Sequence, residues 1–264
     1  IAIVPFHMWT PDVYTGAPTP VTGFLSAAAK AAGFAVFVRV LLTGIPLDGA
    51  NWENVLWILA VLSMTVGNLM ALRQSEVKRM LAFSSIAHAG YVLVAVVVGS
   101  ASAISGVIFY SFAYAVMGTG AFGILTIRDA GRVPQTYDDL AGYGRRNPFQ
   151  ALMMTLFMFS LIGLPLTGGF IGKLQIFSAA LDGGWVWLTV IGILNSALSA
   201  YYYLRVVMFM YMREGALPEG TDLSGRSSGF ALTGLIGTAV AVLYLGVFPD
   251  KIIELASSSI QALL

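Results

Sequence analysis

The sequence predicts an all-α fold, a polytopic bundle of transmembrane helices, some of them discontinuous. Three observations predict it. Of 264 residues, 58% are hydrophobic and only 10% charged, too little charge to coat a water-soluble globule. The apolar residues fall in runs near the roughly 20 residues that cross a hydrocarbon core. The basic residues collect in alternate loops between those runs. Lipid offers no partner to an unpaired backbone group, so each run is expected to be helical.

In chain order, residues 1–16 read as the end of an apolar helix broken by Pro5 and Pro11. The chain starts at Ile1 with no signal-peptide n-region, so an N-terminal truncation is expected. Full spans are expected near 18–44, 54–73, 80–99, 102–127, 149–181, 184–212 and 229–248, followed by an amphipathic tail over 249–264. The whole of 1–264 is expected to form a single transmembrane domain. The run LIGLPLTGGFIGK carries Gly163, Pro165, Gly168, Gly169 and Gly172, which predicts a second discontinuous helix. Each break precedes a long polar-bearing span, a weak sign of an internal repeat, and transporters place binding sites at such paired breaks.

Orientation follows from the lysines and arginines. Arg73, Lys78 and Arg79 share one loop, Arg128, Arg132, Arg145 and Arg146 the next alternate one, and Arg213 and Arg226 a third. The other side carries Lys251 alone, so the three basic loops are expected in the cytoplasm of a bacterial inner membrane. The chain has no cysteine, which excludes disulfides, thiolate-held zinc, iron–sulfur clusters and covalent haem, and no cofactor or metal is expected on it. With a net charge of +1 and no basic groove, nucleic acid is not an expected partner, and the lipid bilayer is. Gly118, Gly120 and Gly123 spell GxGxxG, but within an apolar span and without a preceding strand they signal close helix packing.

Four basic residues, Lys30, Arg39, Lys173 and Arg205, fall inside spans, where a charge costs roughly 2.5–3.5 kcal/mol even on lenient insertion scales. Lys30 lies near mid-membrane, with Thr22 and Ser26 at four-residue intervals before it, a stripe that suggests a hydrated path. It is either a proton carrier or the fixed partner of a carboxylate. Lys173 follows the second break and is either a proton carrier or a snorkelling lysine. Desolvation favours a neutral amine and a nearby carboxylate a charged one, so a moving partner switches such lysines. Of thirteen acidic residues only Asp12 lies in an intramembrane segment, which puts that partner elsewhere. His88, with Ser84 and Tyr91 on its face, reads as a relay between the lysines or as a packing histidine. His7 and Asp12 are read as satisfying freed backbone at the first break. Asn195, Ser199 and Tyr202 form a further polar stripe. Arg39 and Arg205 read as snorkelling or ion-paired.

The stretches VPFHMWTPDVYTGAPTPVTGFLSAAAK (4–30), RQSEVKRMLAFSSIAHAGY (73–91), GLPLTGGFIGK (163–173) and LNSALSAYYYLRVV (194–207) together resemble the antiporter-like membrane subunits of proton-pumping NADH:quinone oxidoreductase (complex I), in the N-subunit form. The resemblance implies a fourteen-helix fold with inverted five-helix repeats, of which this chain matches the end of the seventh helix to the fourteenth. It implies proton-translocating roles for Lys30 on the eighth helix, Lys173 on the broken twelfth, and His88 in the histidine region of the tenth. Partners would be other complex I membrane subunits, including a neighbouring antiporter-like one. NADH, FMN, iron–sulfur clusters and quinone would be bound by other subunits. Rival readings are an Mrp-type Na⁺/H⁺ antiporter subunit, a non-pumping membrane scaffold, and a quinone-binding or redox subunit.

Overall fold

A computed structural model describes residues 1–43, 52–128, 135–214 and 229–261, and no strand occurs among them. The helices are α1 (Trp9–Gly16), α2 (Thr19–Phe24), α3 (Lys30–Thr43), α4 (Trp52–Leu72), α5 (Val77–Val98), α6 (Ala101–Arg128), α7 (Tyr143–Arg146), α8 (Pro148–Ile162), α9 (Gly168–Asp182), α10 (Val186–Met212), α11 (Gly229–Val247) and α12 (Asp250–Gln261). A π-helical turn over Leu25–Ala29 joins α2 to α3, so that Thr19–Leu41 is one membrane-length helix. Five more helices, α4, α5, α6, α10 and α11, are long and apolar enough to cross a bilayer. The span at 149–181, expected to be discontinuous, is the pair α8 and α9, each of 15 residues and too short to cross alone. Arg132, Arg226 and most of the loop over 45–53 lie outside the described residues.

The position of α5 organises the rest. Its most apolar window is 94% buried within the chain itself, against 28–61% for the other spans, so α5 is the bundle's central helix. A helix apolar on every side is what a fully enclosed position requires, yet α5 also carries Lys78, Ser84, Ser85, His88 and Tyr91, all buried. Those groups must therefore be satisfied by neighbouring helices.

Two discontinuities reach mid-depth. The Val4 amide donates to Ser63 Oγ (3.0 Å) in the middle of α4, and Ile1 packs against Gly33 in the first turn of α3, near the middle of Thr19–Leu41, so the segment before α1 lies inside the bundle. Pro5 lies in the turn that precedes it. Pro11, expected to break the helix, instead sits in the first turn of α1, where no amide is needed. The second discontinuity is the non-helical link 163–167 between α8 and α9, which holds Pro165. Gly168 and Gly169 belong to the first turn of α9, and a Cβ on Gly169 would sit 1.9 Å from the Ser160 carbonyl oxygen. That glycine allows the two half-helices to touch.

At one end the basic loops meet. The Val77 amide donates to the Gln135 carbonyl (2.9 Å) and the Tyr137 amide to the Ser75 carbonyl (3.3 Å), while Arg145 pairs with Glu214 (3.5 Å). Arg205 reaches this end, stacks on the Tyr137 ring (4.1 Å) and donates to the Gln74 carbonyl (3.3 Å). Of the two readings it thus fits snorkelling, with no ion pair to it among the described residues. Burial pushes the Tyr137 phenol up to about 12, only partly offset by Arg205, so the ring is a neutral stacking platform. Lys78 corrects its reading as a loop charge: it is 2% exposed and donates to the Ala17 carbonyl (2.5 Å), at the end of α1. A cation there meets the negative end of the helix dipole. Gly120 and Gly123 of the GxGxxG segment do mark close packing, since added Cβ atoms would strike Phe157 and Leu235.

Candidate functional site

Both mid-span lysines are buried, Lys30 at 9% and Lys173 at 5% exposure. Among the described residues no carboxylate lies within ion-pairing distance of either. Lys30 Nζ donates to the Ser85 carbonyl (2.6 Å) and to Ser85 Oγ (2.9 Å), and lies 5.8 Å from the centre of the Tyr114 ring. Immediately before it the π turn widens the helix, and such bulges recur at functional sites. The turn also shifts the expected stripe. Thr22 Oγ1 donates to the Tyr14 carbonyl (2.9 Å) and Ser26 Oγ to the Gly23 carbonyl (2.9 Å). These hydroxyls close the α1–α2 junction and a helical turn.

Lys173 turns inward, so the snorkelling alternative does not describe it. Its Nζ donates to the carbonyls of Leu161 (3.0 Å) and Ile162 (2.8 Å) and to Ser196 Oγ (2.8 Å). Three acceptors match the three N–H groups of an ammonium. Two of them are C-terminal carbonyls of α8, left without helical partners because the helix stops at Gly163, and the helix dipole favours positive charge there. Gly163 makes this possible: its φ is +89°, and a Cβ would sit 3.0 Å from Lys173 Cδ. The ammonium position also lies 4.9 Å from the centre of the Tyr91 ring.

His88 borders both lysine sites: it lines one cavity with Lys30, and its ring centre lies 5.6 Å from that of Tyr91, beside Lys173. Its Nδ1 meets Tyr110 Oη (2.6 Å) and its Nε2 meets Tyr203 Oη (2.9 Å), while Tyr203 also bonds Ser84 Oγ. A neutral imidazole has one N–H and one bare nitrogen, so one phenol donates to it and the other accepts. The chain Ser84–Tyr203–His88–Tyr110 therefore has two senses, related by exchange of the His88 tautomer. Such a chain can take up a proton at one end as it releases one at the other.

A second cluster centres on Asn68 of α4, which is fully buried. Its Nδ2 donates to Tyr91 Oη (3.3 Å) and to Asn195 Oδ1 (3.1 Å), and its Oδ1 accepts from Tyr202 Oη (2.7 Å). Tyr91 thus joins this cluster to Lys173. Ser199 stays outside it, bonding back to the Ser196 carbonyl (2.6 Å). At the first break Asp12 pairs with Arg79 (2.9 Å) rather than with backbone, and His7 Nδ1 is buried without a partner among the described residues.

Sequence reasoning missed Ser85, Asn68, Ser196 and the tyrosines 110, 114 and 203. For Asn68 a signal existed, an amide alone near the middle of an apolar run. Tyrosines in apolar spans read equally well as packing, and Ser85 is separated from Lys30 by 55 residues.

Half-helices that meet at mid-depth, one buried lysine at such an end and another in the middle of a span, and an enclosed polar helix beside both define an antiporter-like, multi-pass membrane protein. The chain belongs to the NADH:quinone oxidoreductase/Mrp antiporter transmembrane family, whose profile matches residues 1–199. It is 50% identical over 262 residues to NADH-quinone oxidoreductase subunit N of Trichlorobacter lovleyi, covering 99% of this chain and 53% of that one. With subunit N 1 of Solibacter usitatus it shares 47% identity over 261 residues, covering 98% and 53%. The chain thus spans about half the length of the curated relatives it matches. Among solved structures, a chain of respiratory complex I from Thermus thermophilus with bound aureothin superposes with a TM-score of 0.83 at 37% identity, covering 96% of this chain and 55% of that one. A chain of the Mrp complex from Dietzia sp. superposes at 0.87 but 20% identity, covering 99% and 56%, which shows a shared fold.

Proposed function

We propose that this chain is the proton-conducting part of a membrane subunit of an NADH:quinone oxidoreductase, in a bacterial inner membrane with its basic loops in the cytoplasm. Protons cross by way of Lys30, His88 and Lys173, driven by electron transfer to quinone in other subunits. NADH, FMN, iron–sulfur clusters and quinone are bound by those subunits, and other membrane subunits, a neighbouring antiporter-like one included, flank this one. Relatives named subunit N, at 50% and 47% identity, support this reading over an Mrp antiporter subunit, matched at 20%. The observation that carries it is a pair of buried amines without carboxylate partners among the described residues, on either side of a histidine bonded at both ring nitrogens. An inert scaffold has no need of that expense. The test is Lys30→Ala in the assembled complex reconstituted into vesicles, with proton uptake followed by a pH-sensitive dye during quinone reduction. Uptake per quinone reduced should fall sharply, and wild-type uptake would contradict the proposal.

A further inference from the structure

Between Lys30 and His88 lies a cavity of about 10 Å³ open to the centre of a water molecule, lined in part by Lys30, His88, Tyr110, Ser111 and Tyr114. That is about the volume of one water site, for which roughly 10–15 Å³ is the minimum. A buried water also needs two to four polar partners, and this cavity offers them. Ser85 takes two N–H groups of Lys30, which leaves a third when the amine is charged. Tyr110 Oη, bonded to His88 Nδ1, retains acceptor capacity. Ser111 Oγ is buried and has no hydrogen-bond partner among the described residues. A buried hydroxyl without a partner calls for an explanation, and an ordered water is one.

We propose that this cavity is a single-water site and that Ser111 is the positioning residue that orients its water between Lys30 and Tyr110. The inference rests on the proton-translocating reading above and supplies the step that joins Lys30 to the His88 relay. In that step a Lys30 N–H bond breaks as an O–H bond forms on the water, which releases one of its own protons to Tyr110 Oη. The Tyr110 hydroxyl proton moves to a bare His88 Nδ1, whose Nε2–H is held by Tyr203. One positive charge passes from Lys30 to His88, the water and phenol are restored, and no electron moves. Ser111 neither gains nor loses a proton. It fixes the water's lone pairs toward Lys30 and its O–H toward Tyr110.

The test uses the complete subunit in its assembled complex, with Ser111→Ala, Ser111→Val and Ser111→Thr compared by proton uptake in vesicles and by infrared difference spectroscopy in H₂¹⁶O and H₂¹⁸O. Ser111→Ala should lower proton uptake per quinone reduced about fivefold, the order expected for one lost hydrogen bond to a buried group. It should also remove an ¹⁸O-sensitive water O–H band that the unaltered complex shows. Ser111→Val, which fills the space, should do the same, and Ser111→Thr should retain both uptake and band. Unchanged uptake in Ser111→Ala, or a water band that survives Ser111→Val, overturns the inference. Lys30→Ala run alongside keeps the two readings apart: if Lys30→Ala loses uptake while the Ser111 variants do not, the single-water step fails and the translocating role stands.

Discussion

Lys30 and Lys173 are held in different ways, and the difference sets distinct expectations for their replacement. Lys173 satisfies two carbonyls at the end of α8, and although Ser196 Oγ also donates to that of Ile162 (3.2 Å), Lys173→Met leaves that of Leu161 unpartnered and should cost about 1–3 kcal/mol of stability as well as function. Thermal unfolding of the detergent-solubilised complex should therefore start earlier in Lys173→Met than in Lys30→Met, where Ser85 Oγ keeps other uses and its carbonyl its helical partner. Tyr203→Phe removes the phenol that meets His88 Nε2 and should lower proton uptake about tenfold with little loss of assembly. Tyr202→Phe, which touches Asn68 instead, should leave the His88 relay intact. The lysines were legible in the sequence because a charge in an apolar run is costly and must be accounted for. Their partners were not, because a serine 55 positions from Lys30 and the tyrosines 114 and 91 on α6 and α5 meet them only in the folded bundle.

At the scale of elements, the spans and the second break were legible because hydrocarbon thickness fixes helix length and because Gly163 and Pro165 interrupt one run. The first break was partly misread: proline identity alone does not separate Pro5, in a mid-depth turn, from Pro11, in the first turn of α1, where proline is at home. The π turn before Lys30 has no composition signal at all in LSAAA, and it alters the helical spacing between Ser26 and Lys30. Contact between α8 and α9 depends on Gly169, where any Cβ would overlap the Ser160 carbonyl. Gly169→Ala should therefore cost about 3 kcal/mol through a forced backbone shift. The amount of folded subunit recovered from membranes should fall, and full recovery with unchanged activity would show that the half-helices separate freely.

For the molecule as a whole, α5 gathers every part of the account. It receives Lys30 at Ser85, holds His88 between phenols from α6 and α10, and presents Tyr91 to both Asn68 and Lys173. At its basic end Lys78 and Arg79 anchor α1, beside the loop that carries Tyr137 and Arg205's stacking contact. The alternation of basic loops was legible as sequence, and the contacts that bring 73–79, 135–146 and 213–214 together agree with it. That a single enclosed helix would carry the polar axis was not legible, since its periodicity resembles that of its lipid-facing neighbours. The claim at the centre is that His88 links two amines which never meet. Proton uptake per quinone reduced, measured for His88→Phe in the reconstituted complex with both lysines intact, tests it most directly. The account predicts a large loss of uptake with the complex still assembled, and uptake equal to that of the unaltered complex would contradict it.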